Sequence, residues 1–293
     1  MPSPDNTLRE KGARFKALHL AEGAFIMPNA WNAGSAALIE QAGFDAIGTT
    51  SAGIAYARAL PDAAGALPFQ AALNATAGIA AAVRVPVSMD AENGYADAPE
   101  AVAENFARIA AAGVVGASIE DYTGERERPL YPAALAAERV GAAKRAATES
   151  GIDFTLTARA ECYLTGHPDP FAEAVKRLNL YGEAGADCLY APGIADLDTI
   201  AALVREVAAP VNVVVGLSGA RLSVAQLQDA GVRRISIGGS LARAAFGVIR
   251  EAAEEMLRHG TFTFAARQIP DAELCELFSR RINRAAAAGD ERV

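Results

Sequence analysis

Cysteine is sparse in this chain of 293 residues and badly placed for crosslinking. Cys162, Cys188 and Cys275 are odd in number, far apart and outside any paired zinc pattern, which excludes a disulfide framework and a structural zinc site and fits a reducing, cytoplasmic setting. Long apolar runs are missing too. No 18-residue stretch is apolar throughout, and the opening MPSPDNTLREKGARFKALHL is charged and then amphipathic, so neither a membrane span nor a signal peptide is expected. Basic residues are outnumbered: 27 Lys and Arg face 35 Asp and Glu, giving a net charge of -8 and a pI near 5.1. They are scattered rather than gathered into a stripe, which argues against nucleic acid or an anionic membrane as partner. Small anions remain possible ligands where a cation or a local arginine reverses the field.

What is present is ample apolar material, 52% of residues, enough for a sizeable core. Short β-rich runs recur at 24–31, 45–52, 85–92, 115–121, 153–161, 187–193, 210–216 and 233–239. Between them, segments such as 68–83, 97–112, 132–149, 169–184, 196–208 and 222–230 place apolar residues three and four apart, as crossover helices do. The phrases QAGFDAIG (41–48), AAGVVGASI (111–119), EAGADCLY (183–190) and DAGVRRISI (229–237) each put Ala-Gly after a helix and before a strand, where glycine supplies a left-handed cap. Eight such units without a low-complexity linker predict a single (β/α)8 TIM barrel over 1–293, with a leading helix at 7–21 and trailing helices after 241.

In that fold functional groups come from the C-terminal ends of the strands. Asp90 and Glu92 in SMDAENGYAD, Glu120 in SIEDY and Arg159 in TARAECY all end apolar strands, and Ser51 joins them from the second strand. Buried charge is costly unless paired or coordinated. Clustered carboxylates beside one arginine therefore suggest a site for a hard divalent cation, Mg2+ or Mn2+, with an anion hook. Arg159 fits a substrate carboxylate and equally an ion pair with Glu120 or Glu161.

These residues resemble the isocitrate lyase and phosphoenolpyruvate mutase superfamily. The resemblance rests on Asp90-Ala-Glu92-Asn-Gly94-Tyr95, Ile119-Glu120-Asp121 and Ala158-Arg159, with MPNAWNAGSA (27–36), the TTSAG turn (49–53) and Leu60-Pro61-Asp62, and it covers roughly residues 20 to 250. It implies a Mg2+-dependent barrel that binds a small 2-oxo or 2-hydroxy carboxylate and forms its enolate by carbon–carbon cleavage or decarboxylation. The family commonly assembles as a dimer of dimers exchanging the C-terminal helix. By the same resemblance Asp90 ligates the metal, Glu92, Glu120 and Asp62 hold it through water or approach the substrate, and Asp62, Glu120 and Arg159 are catalytic. Thr50, Ser51 and Ala52, with Asp90 and Arg159, would bind substrate.

One segment departs from the pattern. Residues 122–131, TyrThrGlyGluArgGluArgProLeuTyr, carry neither the Lys-Lys/Arg-Cys-Gly-His loop of the lyases nor the Lys-Thr-Asn-Ser or Lys-Pro-Asn-Ser of the phosphonate branch. An isocitrate lyase proper and carbon–phosphorus chemistry both lose support. A catalytically weak or inactive binder of 2-oxo dicarboxylates such as oxaloacetate or 2-oxoglutarate stands as the alternative. Glu125 to Arg128 read as a solvated charge run or a lid, and Tyr122 or Tyr131 as stand-ins for the missing acid. Cys162 and Cys188 read as packed thiols. Trp31 and Asn32 read as packing and turn residues, His19 and His259 as surface, and His167 as a loop residue near the site. Asn212 faces the barrel interior or a ligand.

Overall fold

The structure, a computed structural model, describes residues 4–63, 65–217, 219 and 221–287; the ends of the expected 1–293 span lie outside the described residues. Nine short strands form one parallel sheet: β1 (Phe25–Met27), β2 (Asn29–Ala30), β3 (Ile47–Thr49), β4 (Val87–Asp90), β5 (Gly116–Glu120), β6 (Thr155–Arg159), β7 (Cys188–Tyr190), β8 (Val211–Val214) and β9 (Arg234–Ser236). Their order is β1-β9-β8-β7-β6-β5-β4-β3-β2. β1 and β2 are halves of one stave, split at Pro28, which has no N–H to give a ladder. β1 pairs with β9 and β2 with β3, so the sheet closes on itself as an eight-stave TIM barrel.

The helices are α1 (Pro4–Leu20), α2 (Ala33–Gln41), α3 (Ser51–Ala57), α4 (Phe69–Ala82), α5 (Pro99–Ala111), α6 (Ala133–Thr148), α7 (Pro170–Glu183), α8 (Leu197–Glu206), α9 (Val224–Asp229), α10 (Ser240–His259) and α11 (Asp271–Ala287). Periodicity located the crossover helices to within about two residues. The four Ala-Gly phrases behave as caps, with Gly43, Gly113, Gly185 and Gly231 at φ of 94°, 86°, 105° and 86°. The TTSAG segment is more than a turn: Thr50 caps α3, its hydroxyl accepting from the Gly53 N–H at 3.3 Å. Asn32 caps α2 in a reciprocal box with Ser35, and Trp31 packs on the core. Among the described residues no helix is long and apolar enough to cross a membrane. α11 lies against α2 of its own chain, with Phe278 approaching Gly34.

α1 belongs to the structure's interior more than its sequence suggests. Phe15 and His19 are buried and meet edge to face at 4.7 Å, and His19 meets Phe25 at 5.0 Å. His19 Nδ1 bonds the Phe15 carbonyl at 2.8 Å and its Nε2 lies 3.2 Å from Arg234, whose Nε reaches Asn212 at 2.8 Å. The surface reading of His19 is thus corrected, because the helix turns that side onto the first residues of β1 and β9. Asn212 points inward but spends its amide on Ser236 at 3.0 Å and its carbonyl on Arg234. His259 is exposed, as expected.

Candidate active site

The mouth is organised by Asp90, the last residue of β4. Its backbone N–H donates to Thr49 Oγ1 at 2.9 Å, which fixes where the side chain leaves the strand. Asp90 Oδ2 then accepts from the Ser51 N–H at 3.0 Å and the Ser51 hydroxyl at 2.9 Å, while Oδ1 faces Ser118 at 3.4 Å and Arg159 at 3.2 Å. Thr50 and Ser51 are buried, and Ala52 is half-buried against Gly239.

Arg159 ends β6 in register with Glu120 at the end of β5. Its guanidinium pairs with Asp90 at 3.2 Å, Glu120 at 3.1 Å and Glu161 at 2.9 Å, using Nη1 for the first two and Nε for the third, with the Tyr190 ring 5.2 Å away. Burial alone would lower its pKa, but Glu120, Glu161 and Asp90 outweigh burial and hold it well above its ordinary value. Burial pushes Glu120 and Glu161 upward, with Arg159 pulling against it in both. The ion-pair reading of Arg159 therefore holds with both partners named, and with a third. The neighbour Asp121 turns the other way: it accepts from Tyr181 at 2.6 Å, Arg177 at 3.0 Å and the Glu161 N–H at 2.8 Å, tying β5 to β6 behind the mouth.

Glu92 and Tyr95 sit in the turn after β4 at φ of 45° and 56°, left-handed conformations that cost a side-chain-bearing residue about 1–3 kcal/mol each. The turn brings Glu92 toward Asp90; burial, reinforced by Asp90, pushes Glu92 up to about 7. The Tyr95 hydroxyl is buried beside Glu92 without a hydrogen bond of good geometry. Asp62 lies on the exposed rim, its carboxyl raised by desolvation and by Asp90, with Arg159 opposing.

The sequence-predicted set is thus largely gathered: Asp90, Glu120, Arg159 and Ser51 touch, while Glu92 and Asp62 feel their charges. Glu161 was quoted within TARAECY only as a possible pair partner, and the structure makes it the nearest carboxylate to Arg159. Counting Asp62, Asp90, Glu92, Glu120 and Glu161, five carboxyl groups share one arginine. Among the described residues no three His, Cys, Asp or Glu side chains are arranged to hold a metal ion by themselves.

Within residues 122–131 several polar groups bond one another. Tyr122 bridges Leu130, Thr123 Oγ1 donates to the Arg128 carbonyl at 2.7 Å, and Arg128 pairs with Glu125 at 2.8 Å in the open. The solvated reading of the charge run is the one observed. Tyr131 donates its hydroxyl to Asp97, and burial with that bond pushes it up to about 12. Cys162 is fully buried, its thiol pushed up to about 12 by desolvation, and Cys188 is buried in β7. His167 turns onto its own loop, at 3.0 Å from the Asp169 carbonyl.

With this geometry in place, similarity to known proteins becomes informative. The family model for phosphoenolpyruvate phosphomutase matches residues 15–257. A Burkholderia cenocepacia J2315 protein provisionally named a lyase/mutase is 48% identical, with a TM-score of 0.90 over 94% of this chain and 97% of its own. A phosphonopyruvate hydrolase solved with oxalate and Mg2+ is 27% identical, with a TM-score of 0.84 over 95% and 98%. An uncharacterized protein of Mycobacterium tuberculosis H37Rv is 36% identical over 225 residues, 76% of this chain and 81% of its own. Barrel, carboxylate-ringed mouth and matched span agree: the chain belongs to the phosphoenolpyruvate phosphomutase family, within a superfamily of lyases and mutases.

Proposed function

We propose that the protein is a Mg2+-dependent lyase that cleaves a carbon–carbon bond of, or decarboxylates, a small 2-oxo or 2-hydroxy carboxylic acid. The observation that carries this reading is the charge imbalance at the mouth, five carboxyl groups around Arg159, which calls for a cation of hard-oxygen preference. The hard carboxylate oxygens of the donor set fit Mg2+, or Mn2+, since Mg2+ keeps several waters and uses one or two carboxylates directly. Asp90 is the direct ligand in this reading, oriented by Ser51, with Glu92 and Glu120 acting through water. Such a cation would offset negative charge developing on the substrate's oxo oxygen. Arg159 spends Nη1 and Nε within the cluster, so Nη2 is the edge offered to a substrate carboxylate. Thr50, Ser51 and Ala52 line the approach, and Asp62 meets substrate from the rim. The Mg2+ and oxalate of the phosphonopyruvate hydrolase complex support the same choice of cation and ligand class.

A second reading, a catalytically weak or inactive binder of 2-oxo dicarboxylates, is favoured by one observation: Thr123, Glu125 and Arg128 bond within segment 122–131 and the Tyr131 hydroxyl is spent on Asp97. Carbon–phosphorus chemistry ranks below both. Assembly through the trailing helices as a dimer of dimers, with exchange of the C-terminal helix, belongs to the same proposal; its support is the exposed Leu241, Val248, Ile249 and Leu257 on α10. Calorimetry with oxaloacetate and 2-oxoglutarate, with and without EDTA, tests the site: Asp90→Ala should abolish Mg2+-dependent binding, and unchanged binding would count against the assignment. Incubation with isocitrate, methylisocitrate, malates, oxaloacetate and phosphonopyruvate, read by mass spectrometry, separates enzyme from binder.

A further inference from the structure

We infer that Arg139, on α6, is a positioning residue that sets the geometry of the acidic mouth from behind it. Arg139 is 1% exposed, yet its guanidinium is not ion-paired among the described residues. The guanidinium donates instead to main-chain carbonyls, to Asn93 and, at 2.8 Å, to Ala96, and approaches the Glu120 carbonyl at 3.5 Å, while stacking on Tyr131 at 3.8 Å. One planar fork thereby ties the turn carrying Glu92 to the strand end carrying Glu120.

The accounting of that turn is complete. The Glu92 carbonyl accepts from the Glu120 N–H at 2.9 Å; those of Gly94 and Tyr95 accept from Asn105 at 2.9 and 3.4 Å; those of Asn93 and Ala96 accept from Arg139. Each carbonyl from 92 to 96 is held, and two of the five are held by Arg139 alone. The turn contains the left-handed Glu92 and Tyr95, conformations that persist only where surroundings over-determine them. Arg139 also leaves its own Nε buried and unpartnered, a cost accepted for the reach of its two terminal nitrogens. Nη2 serves both turn carbonyls while Nη1 reaches toward the Glu120 carbonyl, and lysine has a single nitrogen, so linking turn to strand end asks for arginine specifically.

This inference rests on the metal-site reading, and the test keeps the two apart. Arg139→Lys and Arg139→Ala would be compared with the unaltered protein in thermal midpoint, in Mg2+ affinity by calorimetry, and in amide exchange of residues 92–97. Arg139→Lys should weaken Mg2+ binding tenfold or more while those amides exchange faster than the barrel strands. Guanidinium ion at millimolar concentration should restore affinity to Arg139→Ala, a rescue that lost packing alone would not give. Unchanged affinity in both variants, or a fall that tracks the thermal midpoint and resists rescue, overturns the positioning role. Should the unaltered protein fail to bind Mg2+, the metal reading falls and the exchange data decide: faster exchange confined to 92–97 upholds Arg139 as the clamp, and unchanged exchange refutes it.

Discussion

Replacing Arg159 with methionine is the sharpest perturbation this mouth offers. The guanidinium is the shared partner of three carboxylates at 3.2, 3.1 and 2.9 Å, with 17% of its side chain exposed. Removing one member of a buried ion pair costs about 3–5 kcal/mol, because the remaining charge stays desolvated without its partner. Here three partners are stranded at once, but Glu120 and Glu161 are already raised by burial and would take up protons, which caps the loss within that range. For a barrel of this size about 3–5 kcal/mol corresponds to a fall in thermal midpoint on the order of 10 °C. The loss should shrink as pH falls from 8 to 5, since protonation removes the repulsion. The comparison is Arg128→Met, whose Glu125 partner is solvated and whose loss should be at most about 0.5 kcal/mol. Urea unfolding of both variants in EDTA at several pH values reads the difference. Equal stability of the two, or a loss at Arg159 that does not vary with pH, refutes the account.

Three other outcomes follow from the same physics. Mg2+ affinity should rise with pH up to about 7 and then flatten, because protonated Glu92 competes with the cation, and Glu92→Gln should remove one proton's worth of that slope in calorimetry. At the other end of the barrel, burial followed by Arg234 lowers His19 to about 3, so between pH 6.5 and 3 the unfolded chain binds a proton that the folded one refuses. Stability is therefore fully present above pH 6.5 and falls as the medium is acidified, by about 3 kcal/mol at pH 4.5. His19→Gln should flatten that fall in urea titrations, and an unaltered slope would exclude His19 as its source. Cys162→Ala should leave ligand binding intact and cost about 1–2 kcal/mol of stability, as for a buried thiol that only packs; loss of binding with retained stability would reassign it.

The barrel was legible because its signals are local and repeated. Helices 68–83 and 132–149 announce themselves by spacing, and the Ala-Gly caps mark where each ends. Asp90, Glu120 and Arg159 were legible for a different reason: charge at the end of an apolar strand is rare enough to need an explanation. Pro28 splitting the first stave, and the helix beginning at Ser51, depend on closure and on Asp90 meeting the Ser51 N–H, contacts between distant segments that periodicity does not carry. His19 was misread because α1 has a weak apolar pattern, and only the stack of Phe15, His19 and Phe25 reveals which side faces in. Arg139 carried no sequence signal either: an arginine on a crossover helix reads as solvated until the carbonyls it serves are located.

The two ends of the barrel resolve the same problem, buried charge, in opposite ways. At the base, neutral His19 accepts from Arg234, which is itself held by Asn212, so one buried cation is spread over two neutral acceptors. At the mouth, Arg159 pairs with three carboxylates and still leaves carboxyls pushed above their ordinary range. A network built only for stability would be expected to balance its charges, since imbalance costs free energy. The excess persists on the face where strand ends and their loops converge, and the left-handed Glu92 is held there at further cost. The surplus of carboxyls over Arg159 at the mouth is the feature that the proposed cation accounts for, and its sign favours a cation before an anion.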